Sequence, residues 1–90
     1  MTTRFARDPR ALSRLTLEAV VVLPPGRDEA TVVGDAGPAV WALSRDPTTV
    51  EELTALLRLS EGEVASVTTA VARLRNCGAL VELPTAHADR

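Results

Sequence analysis

The chain has 90 residues, 46% hydrophobic, 24% charged and only 2% aromatic, with a formal net charge of −2 and a pI near 5.3. That length accommodates one domain, 1–90, whose core must be built from Val, Leu and Ala because Phe5 and Trp41 are the only Phe, Trp or Tyr residues. The charge lacks the basic excess that phosphate neutralisation needs, the single Cys77 allows no internal disulfide, and the longest apolar run, Ala19–Leu23, is far too short to cross a bilayer. These observations predict a cytoplasmic protein with neither nucleic acid nor membrane as partner. All ten basic residues are arginine, which reads as base-composition bias.

Residues 1–10 read as irregular and polar, ending at Asp8-Pro9. A short early strand over Leu12–Leu15 can precede the β-branched run Leu17–Leu23, which Pro24-Pro25-Gly26 stops as a turn. Ala30–Val33 reads as a further strand of the same small sheet, broken at Gly34. The period then changes. Asp35 is placed to cap a first helix with Pro38 in its first turn, and Arg45-Asp46-Pro47 ends it. Thr48 and Glu51 have the spacing of a capping box ahead of Val50, Leu53 and Leu57. Ser60 and Glu63 repeat that spacing ahead of Val64, Val67, Val71 and Leu74, and Gly78 supplies the stop. A last apolar run, Ala79–Leu83, meets Pro84, with a frayed tail expected after it.

No catalytic constellation emerges from these residues. His87 is the single histidine and falls in the polar tail, where nothing holds a base in place. Cys77 falls at a helix C-terminus, where the dipole disfavours thiolate, so it reads as an inert thiol. One Cys and one His cannot supply a finger-type metal site, and the five glycines are scattered among turns and caps. The expectation is a non-enzyme without cofactor or metal. A DNA-reading role for the third helix is disfavoured because its first half, Glu61 to Ser66, carries two glutamates where a reader needs donors for bases and phosphates. Arg73 and Arg75 come only in its last turn, where they can satisfy terminal carbonyls.

Several runs taken together resemble the PqqD-like family. They are Ala6–Leu12; Val20–Pro24 with Gly26; Gly34–Leu43; Pro47–Leu53; and the closing Val71, Leu74, Gly78, Leu80 and Val81, so the likeness covers about residues 6–83. Members of that family are recognition elements for ribosomally synthesised, post-translationally modified peptides. The resemblance implies an α+β, winged helix-turn-helix-like domain in which an N-terminal three-stranded antiparallel sheet precedes three helices. It implies a leader peptide docked as an added strand on the sheet edge against the third helix. A partner enzyme, such as a radical SAM enzyme or a cyclase with its leader protease, would then act on the attached core peptide.

Strand addition also follows from the residues themselves, since an edge strand offers unpaired backbone groups to a guest chain. The candidate edge is Glu29, Ala30, Thr31, Val32 and Val33. The facing wall is the third helix with Val64, Val67 and Val71, a stripe that also reads as core, flanked by Thr68, Ala72 and Arg75 along the groove. Arg75 is expected to meet an acidic leader residue. The competing readings are a winged-helix DNA regulator and an adaptor subunit of an enzyme complex, and an open edge also permits a homodimer.

Overall fold

The computed structural model describes residues 4–83, so the predicted frayed tail and His87 lie outside the described residues. Eight elements follow in order: β1 (Arg4–Arg7), β2 (Leu12–Leu15), β3 (Val20–Leu23), β4 (Thr31–Val33), α1 (Gly37–Leu43), α2 (Val50–Leu57), α3 (Glu61–Asn76) and β5 (Leu80–Leu83). They form a small α+β domain with two antiparallel sheets and three helices.

The larger sheet has the order β2-β3-β4, with Leu15 opposite Val20 and Val20 opposite Val33. Alternation along β3 sends Val20 and Val22 into the core, whereas Val21 and Leu23 turn to the outer face beside Val32 and Leu12. β2 is exposed along its whole length, and Leu17 stands fully in solvent at the turn between β2 and β3. Below the sheet, Val40 and Trp41 of α1, Leu53 of α2 and Val67, Ala70, Val71 and Leu74 of α3 complete one core.

The segment expected to be irregular forms a strand. β1 pairs antiparallel with β5, from Arg4 opposite Leu83 to Arg7 opposite Leu80, which makes the predicted apolar run at the other end of the chain its partner. On its other side Phe5 exchanges backbone hydrogen bonds with Thr48 at 2.8 and 2.9 Å, and the Arg7 N–H donates to the Ser44 carbonyl at 2.9 Å. Arg-Phe-Ala-Arg carries little alternation of its own; buried Phe5 and these tertiary bonds make it a strand.

Two helix starts also differ from expectation. Asp35 does not cap α1, because it lies at φ 50° inside a turn closed by the Gly37 N–H on the Gly34 carbonyl at 2.7 Å. The residue before α1 is Ala36, with no side-chain cap. The α2 cap is Thr49, one residue later than predicted, whose Oγ1 accepts from the Glu52 N–H at 3.0 Å, and Thr48 Oγ1 donates to the Glu52 carboxylate at 3.2 Å. The α3 box is as expected: the Ser60 N–H and hydroxyl both meet Glu63 Oε1 at 3.0 Å, and these bonds hold the Glu63 carboxyl below its usual pKa. Gly78 closes α3 at φ 95°, a backbone conformation that glycine adopts without strain.

Gly37 is required by close packing. A Cβ there would lie 2.8 Å from Val33 Cγ1 and 3.4 Å from Val20 Cγ1, both in the core. Gly37→Ala should therefore destabilise by about 1–3 kcal/mol through overpacking. Gly62→Ala, where a Cβ meets nothing within 4 Å, should stabilise by about 0.4–1 kcal/mol. Paired thermal melts check both signs, and a Gly37→Ala melt at or above the wild-type Tm would contradict the packing.

Asp8 yields a pH-dependent prediction. Its carboxylate accepts from the Arg10 backbone N–H at 2.9 Å and from the Arg10 guanidinium at 3.1 and 3.3 Å, and the guanidinium bonds, more than the backbone one, hold its pKa below the ordinary value. A lowered folded-state pKa contributes stability above the unfolded value, near 3.8, and loses it as pH falls through the folded value. Asp8→Asn should therefore lie below wild type in denaturant midpoint at pH 7, with the gap narrowing steadily below about pH 4. A gap that is constant with pH would rule out this contribution.

Candidate functional site

Only β2 and β4 have a free side in the larger sheet, because β3 is paired on both. β4 is the edge that a helix overlooks. Arg73, in the last turn of α3, donates from Nη2 to the Val32 carbonyl at 3.1 Å. That carbonyl therefore points away from β3. In an antiparallel pair such a residue turns its N–H to the same side. Val32 thus turns its N–H to the space between β4 and α3, where its carbonyl already accepts from Arg73, and the residue is 54% exposed.

The predicted residues divide on this geometry. Thr31, Val32 and Val33 are the edge strand, whereas Glu29 and Ala30 belong to the exposed loop ahead of it. Val67 and Val71 are core with Leu74, and Val64 is half-buried. Thr68 spends its hydroxyl on the Val64 carbonyl at 2.9 Å within its own helix. Arg75 is not at the groove: its Nη1 lies 3.0 Å from Glu82 Oε2 on β5. Two residues are about 200° of helical turn, so Arg75 and Arg73 leave α3 on different sides. Ala72 and Thr68 lie one and two turns before Arg75, on the flank away from Arg73, and the β4 side of α3 is instead Ser66, Thr69 and Arg73 at i, i+3 and i+7. Neither arginine caps terminal carbonyls of α3, the role expected from their position.

Sequence reasoning placed Arg75 rather than Arg73 at the groove, although one signal distinguished the two. The apolar stripe held it: Val67, Ala70 and Leu74 place the stripe's centre nearer Arg73 than a stripe drawn through Val64 and Val71.

Two residues past β4 the groove deepens into a concavity of about 340 Å³ between α1, the turn before α3, and α3 itself. Its floor is apolar, with Ala36, Ala39, Leu57, Leu59 and Val67, and its rim carries Asp35, Glu63 and Ser66. Such a cup suits an aliphatic side chain, and its acidic rim favours a cationic neighbour over an anion. Among the described residues no three His, Cys, Asp or Glu gather as metal ligands, and no helix is long and apolar enough to cross a membrane. The Cys77 thiol donates to the Leu74 carbonyl at 3.3 Å. No protein-family model, curated protein or solved structure matches the chain.

Proposed function

We propose that this chain binds an extended peptide by adding it as a fourth strand beside β4, in the groove walled by α3, and performs no chemistry on it. The observation that carries this reading is the outward-turned backbone of Val32 at an edge overlooked by a helix. Main-chain bonds to that edge would supply affinity, and the apolar cup beyond it would select a side chain. The likeness of residues 6–83 to the PqqD-like family narrows the guest to the leader of a ribosomally made precursor peptide, held for a modifying enzyme such as a radical SAM enzyme or a leader protease with its cyclase. In that reading the sheet and three helices are a winged helix-turn-helix-like scaffold, with α2, the three-residue turn Arg58–Ser60, and α3 as its helical pair. The same scaffold reading in a DNA regulator is disfavoured by Glu61 and Glu63 at the start of α3 and by the Asp35–Glu63 rim, all of which repel phosphate.

Titration of the full chain with the leader segment of the precursor encoded beside its gene, followed by backbone amide shifts, should perturb Thr31–Val33 together with Ser66, Thr69 and Arg73. Val32→Pro removes the outward N–H without touching the ladder to β3, and should weaken binding at least tenfold while Val32→Thr keeps it. Leader affinity unchanged in a folded Val32→Pro protein would overturn strand addition. Shifts of α3 with duplex DNA but not with leader would replace this reading by the regulatory one.

A further inference from the structure

The opposite edge of the same sheet holds a second concavity of about 370 Å³, formed where β1 ends, β2 begins and α1 finishes. Its walls include Arg7, Asp8, Ser13, Trp41 and Arg45. Asp8 is already engaged by Arg10 on both carboxylate oxygens. Arg7 and Arg45 form no ion pair among the described residues. The Arg7 guanidinium is fixed over the Trp41 ring, its carbon 5.3 Å from the ring centroid, an arrangement that holds the cation by the ring's negative face and leaves its N–H edge free to donate.

Trp41 adds an independent sign. It is 1% exposed, and its Nε1 is the one buried side-chain nitrogen or oxygen without a hydrogen-bond partner among the described residues. A buried indole N–H normally finds an acceptor. Here the unsatisfied donor belongs to a residue that walls a cavity bearing two unpaired guanidinium groups. Guanidinium and indole N–H groups are donors only, so the group that complements them is an acceptor.

We infer that this concavity is a carboxylate-binding site, with the anion held between Arg7 and Arg45 beside the Trp41 indole. Arginine offers its donors in a planar fork that matches two carboxylate oxygens. The site lies across β3 from the β4 groove, so the inference is independent of strand addition there. A phosphate would present related oxygens, and the test separates the two.

Trp41 is the only tryptophan, so its fluorescence and its indole N–H resonance report on this position alone. The full chain should be titrated at constant ionic strength with glutarate, with a blocked Glu-containing tripeptide, with inorganic phosphate and with chloride. Saturable shifts of the indole N–H with glutarate and the tripeptide are expected, weakened at least fivefold by Arg45→Gln, a change at an exposed side chain that leaves the fold in place. Arg45→Lys should bind between the two, since it restores the charge without the fork. An indole resonance that stays put, that moves equally with chloride, or that moves equally in Arg45→Gln would overturn the site. Saturation by phosphate with none by either carboxylate would overturn its assignment to carboxylate.

Discussion

The pairing of β1 with β5 brings the two described ends of the chain together and uses them in a sheet separate from β2-β3-β4. β1 is held on one side by β5 and on the other by Phe5–Thr48 and Arg7–Ser44 backbone bonds, so its donors and acceptors are used far from β4. Phe5 seals the core beneath this ribbon. β5 in turn follows α3 through Cys77, Gly78 and Ala79, with the Ala79 N–H returning to the Leu74 carbonyl at 3.0 Å. That short connection fixes the rotation of α3 about its axis. With Arg75 drawn to Glu82 of β5, the helical spacing puts Arg73 on the other side, where it meets Val32.

Much of this was legible in the residues, and the exceptions have one physical cause. β3 and β4 declared themselves through β-branched runs bounded by Pro24-Pro25-Gly26 and Gly34, and α3 through the Ser60–Glu63 box, its apolar stripe and Gly78. These are local signals. β1 was invisible because its stability is entirely non-local: four residues with two arginines become a strand only when Leu80–Leu83 and Thr48 supply partners. The one-residue slip at α2 has a similar origin. Thr48 and Thr49 are equivalent caps in sequence, but Thr48 is committed through its backbone to Phe5, which leaves Thr49 to accept from Glu52. At the groove, the residue pattern put the edge at Glu29–Val33, of which Thr31–Val33 is strand, but did not give the side of α3 that overlooks it, since that side is set by the turn into β5.

The molecule is nearly neutral as a whole but not locally. On the β4 side the rim residues Asp35 and Glu63 are acidic, and Arg73 is directed to a backbone carbonyl rather than outward. On the β2 side two guanidinium groups have no acidic partner among the described residues, while Asp8 is paired with Arg10. Two strand spacings separate these edges, roughly 10 Å, comparable to a Debye length of about 8 Å at physiological ionic strength. Charges on one edge are therefore largely screened from ligands on the other. The three-stranded sheet works as a spacer: β3, paired on both sides, keeps apart a rim with two carboxylates and a concavity with two guanidinium groups. On the two proposed readings, guests of opposite charge would then occupy the two edges without competing.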